Sequence, residues 1–231
     1  MNKITLIAIS VAALFSGMLA TSIQGAESGT VSSVHDIGAK GDGKTSEYFV
    51  IRVIDEDTGR GVPLVELKLP NDVKYWTDSA GVAALNEPSL SGREVFIAVR
   101  SHGYRYLEES ILGRGTKVKI QPGKILELRV RRTMIAERLY RLTGEGIYRD
   151  SVMADLPVPM NKPLLNAEVL GQDTVSGAVY RGKIFWIWGD TIGSSYWNFS
   201  VSGATSDPHD DPAVAINYDY FTDNKGRSKQ M

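Results

Sequence analysis

Ala178-Val179-Tyr180-Arg181-Gly182-Lys183-Ile184-Phe185-Trp186-Ile187-Trp188-Gly189-Asp190-Thr191 reads as a β-hairpin. A short strand meets a turn at Arg181-Gly182-Lys183, and a longer, apolar strand leads to Gly189-Asp190-Thr191. Period-two alternation puts Ile184, Trp186 and Trp188 on one face and Phe185 and Ile187 on the other. Both faces are apolar, so the strand needs cover on both sides, as an inner strand of stacked sheets or of a propeller has. Asp190, expected just past this strand, then sits at its rim, where sites are commonly built.

Toward the N-terminus, Tyr48 to Arg132 carries the most regular pattern. Strands are expected over Tyr48–Ile54, Pro63–Leu69, Val73–Thr77, Gly81–Leu85, Glu94–Ser101, Thr116–Ile120 and Ile125–Arg131. Turn signals separate them at Asp57-Thr58-Gly59, Pro70-Asn71-Asp72, Asp78-Ser79-Ala80-Gly81 and Gln121-Pro122-Gly123. Seven short strands with frequent turns predict a β-sandwich. Its expected core is Val53, Val65, Leu67, Val95, Ile97, Val99, Leu126, Leu128 and Val130.

The 231 residues are 42% hydrophobic and 23% charged, an ordinary globular composition that suits one or two domains. A net charge of -1 and a pI near 6.3 argue against nucleic-acid binding, which leans on a positive field. Cysteine is absent, which excludes disulfides, thiolate metal sites and a cysteine nucleophile.

Residues 1–26 read as a signal peptide. Lys3 gives the positive start, Ile4 to Leu19 is mostly apolar, and Ala20-Thr21-Ser22 has the small-x-small cleavage pattern, with cleavage near Ala26 as the alternative. This predicts export to the periplasm or beyond. The apolar run is short for a membrane span, which needs about 20 apolar residues, and no other run of that length follows, so no membrane association is expected once the leader is cleaved. Residues 27–47 are polar and Gly/Ser-rich and read as a linker.

Thr133 to Gly144 reads as a linking helix. Thr133 is its N-cap, Ile135, Leu139 and Leu142 are its apolar stripe, and Gly144 is its stop. Residues 145–231 form a second β region: a strand over Leu164–Gly171, the opening hairpin, and strands near Asn198–Ser202 and Ala213–Tyr220. Asp223-Asn224-Lys225-Gly226 is a further hairpin turn. About 85 residues follow Gly144. That suffices for one propeller blade and part of another, where closure takes about four to eight. An incomplete propeller leaves strand edges open to self-association.

Three resemblances add to this reading. Val53-Ile54-Asp55, Thr58-Gly59, Val62-Pro63, Tyr75-Trp76-Thr77-Asp78-Ser79-Ala80-Gly81 and Ser101-His102-Gly103-Tyr104 resemble the carboxypeptidase regulatory-like, or transthyretin-like, sandwich. Modules of that family mostly act as spacers or interaction domains. Val34 to Thr45 resembles the first strand and turn of pectate-lyase-like β-helices, without repeating rungs after it. Leu170-Gly171-Gln172-Asp173 and Tyr180 to Thr191 resemble the opening of secreted five-bladed propellers similar to glycoside hydrolase families 43 and 62. The expected fold is therefore all-β, a transthyretin-like sandwich plus a partial propeller joined by a short helix.

The propeller resemblance implies that a first-blade aspartate is the general base, with a proton-donating carboxylate on a later blade. Asp173 is the best match for that base and Asp190 the second. Tyr196 and Trp197, in a loop, are the aromatic residues that would stack on sugar. Asp207-Pro208-His209-Asp210-Asp211 is acidic, but its spacing matches no known metal loop, so no metal or cofactor is assigned. The expected function is the leading part of an exported glycosidase-like protein, catalytically incomplete by itself, with polysaccharide as its partner. The alternatives are a secreted carbohydrate-binding or adhesion module, or a truncated reading frame without activity.

Overall fold

Alternating β-branched and aromatic residues decide the architecture. The computed structural model describes residues 32–36, 46–194 and 196–231, with the side chains of 196–199 outside that description. The chain is 46% strand and 4% helix, hence all-β, and among the described residues the strands form three sheets, none of them closed.

The first sheet runs β1 (Ser32–Asp36), β10 (Lys124–Arg132), β2 (Phe49–Asp55) and β5 (Val82–Leu85), with β7 (Tyr104–Tyr106) also paired to β10. The β10–β2 pair is parallel and the others are antiparallel. The second sheet runs β4 (Lys74–Trp76), β3 (Glu66–Lys68), β6 (Glu94–Arg100), β9 (Gly113–Lys119) and β8 (Glu109–Ser110). The two sheets share one hydrophobic core, and all nine core residues expected from alternation lie in it. On β6, Val95, Ile97 and Val99 point inward while the residues between them are more exposed. Each such side chain contributes about 1.5–3 kcal/mol by leaving water.

The first sheet is covered on its outside too. Val50, Val82 and Ala84 pack against Ala154 and Leu156, which follow the short helix α1 (Arg149–Met153). That helix is tied down by two carboxylates. Asp78 accepts the Ala80 and Val82 amides on Oδ1 at 2.9 and 3.1 Å, and the Ser151 amide on Oδ2 at 2.7 Å. Asp150 in return accepts the Ala84 amide at 3.2 Å. The expected turn at Asp78–Gly81 is present, with Gly81 at φ 75° and the Val53 carbonyl 2.3 Å from where a Cβ would stand.

The third sheet is an antiparallel meander in chain order: β11 (Val169–Tyr180), β12 (Lys183–Gly193), β13 (Tyr196–Ser206) and β14 (Asp219–Tyr220). The opening hairpin is confirmed, with a tighter turn than expected. Arg181 and Gly182 both have positive φ, 48° and 75°, and Tyr180 faces Lys183 directly, which is a two-residue type I′ turn. One face of β12 is packed, with Trp188 buried against Tyr218 and Tyr220. Among the described residues the other is covered only in part: Phe185 lies 6.4 Å from the Phe221 ring, while Ile187 is half exposed.

Three expectations are corrected. Residues 133–144 form no helix; they run as an irregular strap. Ile135 is fully exposed and Leu142 nearly half exposed, so the apolar stripe at helical spacing is not buried. A helix this short is marginal on its own, and tertiary hydrogen bonds outcompete it. The Arg138 and Arg141 amides donate to Tyr104 Oη and Ser79 Oγ at 3.0 and 3.1 Å, and the Arg138 guanidinium donates to the carbonyls of Pro63, Leu64 and His102. Second, the linker assigned to 27–47 contains β1, all five residues of which are in register with β10. Third, Asp190 lies within β12 and not beyond its end. The leader lies outside the described residues. Among those described, no helix is long and apolar enough to cross a membrane.

Replacing Asp78 with Ala strips three backbone N–H groups of their acceptor. The unfolding free energy should drop by about 2–4 kcal/mol, measured from the midpoint of urea unfolding. An unchanged midpoint would show that the turn is held by packing alone.

Candidate functional site

Asp173 on β11 and Asp190 on β12 are direct cross-strand partners, and both are exposed. Partners of this kind have Cβ atoms about 4.5–5.5 Å apart. They approach a substrate from one side and do not flank a bond between them. Asp173 Oδ1 also accepts the Thr174 amide at 2.6 Å, where Thr174 takes φ 57°. Tyr196 and Trp197 fall at the start of β13, not in a loop, and their side chains are outside the described residues.

A polar row crosses the third sheet beside its aromatic cluster. Thr191 and Ser202 hydroxyls lie 2.6 Å apart, Gln172 Nε2 donates to Ser202 at 2.8 Å, and Tyr220 Oη donates to Gln172 Oε1 at 2.6 Å. Next to it, the Trp188 ring meets Tyr218 edge-on at 5.2 Å and Tyr220 at 5.6 Å. Burial pushes the Tyr218 hydroxyl up to about 12. The Gln172, Thr191, Ser202 and Tyr220 side chains satisfy one another, as a sheet interior requires. A small cavity of about 210 Å³ borders them, with Asn161, Asn166 and Tyr218 among its walls.

A larger cleft of about 720 Å³ opens between the β3–β4 edge and the strap. Its geometry follows from strand parity. On β4, Tyr75 turns inward and donates to Glu87 at 2.7 Å, so Lys74 and Trp76 turn outward. Trp76 is 52% exposed. Asp78 and Ser79 form the floor, and Arg138, Arg141, Glu145 and Arg149 come from the strap and helix side. The arrangement offers an aromatic plate, guanidinium donors and carboxylate acceptors around one opening. The sequence pattern placed Tyr75-Trp76-Thr77 in an expected strand and in the sandwich resemblance, with no ligand role for Trp76. The available signal was Trp76 at a solvent-facing position between Lys74 and the Asp78 turn.

Other polar side chains have local roles. His102 is exposed and its carbonyl serves Arg138, while Tyr104 is buried under the Arg138 guanidinium at 5.6 Å. His35 on β1 is exposed, 2.9 Å from Ser33 Oγ. In the acidic loop, Asp207 accepts the His209 amide and ring Nδ1, which hold its carboxyl below the usual range. Asp210 accepts the Asn217 amide and Asp211 the Ala213 amide, each at 2.9 Å. Among the described residues no three His, Asp or Glu side chains converge as a metal site.

Comparisons with protein-family models, curated proteins and solved structures find no match. The functional reading therefore rests on the chemistry of the chain itself.

Burial, with Asp78 nearby, raises the Asp150 carboxyl above its ordinary 3.8. A raised folded-state value means that Asp150 favours the fold at low pH and that this contribution is lost as pH rises through the folded value. Asp150→Asn keeps an acceptor for the Ala84 amide and removes the titration. Its Tm should fall less than that of the wild type between about pH 4 and pH 7, measured by thermal melts. Parallel profiles would contradict the assignment.

Proposed function

We propose that this chain is the leading part of an exported carbohydrate-active protein and that its own activity is saccharide binding without turnover. In this reading the two sheets that share a core are a transthyretin-like sandwich, and the β11–β14 meander is a propeller blade. Sequential antiparallel strand order is what a blade requires, and paired sheets over one core are what a sandwich requires.

The observation that carries the reading is Trp76, half exposed on the wall of a 720 Å³ cleft lined by arginines and carboxylates. An indole plate stacks on the C–H face of a sugar ring. Guanidinium and carboxylate groups around it exchange hydrogen bonds with ring hydroxyls. Binding without turnover is favoured over hydrolysis because the proton donor that the resemblance puts on a later blade lies outside the β11–β14 meander, and Asp173 and Asp190, side by side on adjacent strands, cannot flank a glycosidic bond by themselves. An acid and base that flank a glycosidic bond with inversion stand about 6.5–9.5 Å apart on opposite sides of it.

Arabino- and xylo-oligosaccharides titrated into the protein by calorimetry should give saturable binding with no release of reducing ends. Trp76→Ala should weaken that binding about tenfold, the loss expected for one stacked ring, without changing Tm, since the side chain is solvent-facing. Equal affinity in the variant would remove the cleft from the account. Release of reducing ends that is lost in Asp173→Asn would replace it with the hydrolytic reading.

A further inference from the structure

β11 ends the third sheet, and among the described residues it pairs with β12 alone. Its outer half, Val175-Ser176-Gly177-Ala178-Val179-Tyr180, has no charge and no proline, the two devices that usually blunt an open edge. Val175 and Val179 are 58% and 72% exposed.

Which groups face outward follows from the turn. Residues flanking a two-residue hairpin turn exchange both backbone hydrogen bonds, and such pairs then alternate along the ladder. Tyr180 flanks the turn, and the register with β12 is unbroken from Val175 to Tyr180. Ser176, Ala178 and Tyr180 therefore spend their backbone groups on β12. Val175, Gly177 and Val179 direct theirs away from the sheet.

The geometry points to an isologous dimer in which β11 pairs antiparallel with β11 of a second copy about a two-fold axis at Gly177. This register makes Gly177 its own partner, an allowed hydrogen-bonded position. It sets Val175 of each copy against Val179 of the other, and both of these residues have outward-facing backbone groups. It also brings Asp173 of each copy, beside the kink at Thr174, to the hairpin turn of the other, where Arg181 offers its guanidinium, so opposite charges meet at both ends. Moving the axis by two residues in either direction leaves no such charge match: it pairs Asp173 with Gly177 or leaves Arg181 facing Gly177. Gly177 has a further reason to be glycine, since a Cβ there would lie 3.1 Å from the Trp186 ring. The two copies would together form one continuous eight-stranded sheet. The pairing also occupies the Asp173 carboxylate, which agrees with binding rather than hydrolysis, but it does not depend on the saccharide reading.

Sedimentation equilibrium on the full chain, with charge-swapped variants, tests this. The wild type should be a dimer. Asp173→Arg places two guanidinium groups opposite each other, and Arg181→Asp places two carboxylates opposite each other. Each should weaken the dimer about tenfold, because two like-charge contacts replace two attractive ones. Asp suits the positive φ at position 181, so that variant retains its turn. The double variant D173R/R181D restores both pairs in reverse and should dimerise like the wild type. A monomeric wild type would overturn the proposal. So would a dimer that neither single swap weakens, which places the contact elsewhere, or a double variant no better than the singles.

Discussion

The structure depends on the Asp78 carboxylate. Its two oxygens hold three backbone amides that come from two places in the chain, the turn into β5 and the first turn of α1. The turn that it stabilises is crowded on every side. The Ala80 carbonyl lies 1.8 Å from where a Cβ on Gly61 would stand, so only glycine fits there. Once Asp78 and Ser79 are fixed, the strap has somewhere to lie. The Ser79 amide donates to the Ile147 carbonyl at 3.0 Å, and Ser79 Oγ accepts the Arg141 amide. The strap then carries the connection to the third sheet. Arg60 pairs with Glu137 at 3.1 Å and donates to the Ala213 carbonyl, while Tyr140 donates to the Pro212 carbonyl at 3.0 Å. Ala80 packs with Ile147, Tyr148, Met160 and Ala215 at the same junction. One turn thus joins the shared core of the first two sheets to the region around the third, in a chain that has no disulfide to do so.

Much of this was legible in the sequence where one residue answers to one physical demand. Val95, Ile97 and Val99 announce an inward face by alternation alone. Asp78 and Gly81 announce a turn because one accepts neighbouring amides and the other supplies a positive φ. The Arg181-Gly182 hairpin was visible for the same reason. What could not be read depended on distant partners. Ile135, Leu139 and Leu142 have helical spacing, but the partners that draw out the strap are the carbonyls of Pro63 and His102, far away in the chain. Ser32–Asp36 carries little apolar pattern and becomes a strand because β10 offers it an edge. The cleft escaped for the same reason, since its walls come from β4 and from a strap that sequence pattern assigned to a helix. Asp190 was visible as a carboxylate closing an apolar strand and Asp173 through the propeller resemblance, but their direct opposition depends on the register set by the two-residue turn.

The molecule divides its exposed surface by chemistry. The β3–β4 side presents an indole among charged groups, a surface suited to a polar ligand with an apolar face. The β11 side presents uncharged backbone and valines, suited to another strand. The aromatic cluster of Trp186, Trp188, Tyr218 and Tyr220 lies between β11 and the strap side and is internal, so its rings stabilise the sheet. Of the tryptophans with described side chains, Trp76 is the most exposed.

That difference can be read directly. The indole Nε1–H resonances of a ¹⁵N-labelled sample, assigned by substitution and followed during titration with xylo- and arabino-oligosaccharides, report on each tryptophan separately. Saccharide binding in the cleft predicts a saturable shift of the Trp76 resonance while that of buried Trp188 stays in place. A static Trp76 resonance alongside a shifting Trp188, or no shift in any of them, would contradict it.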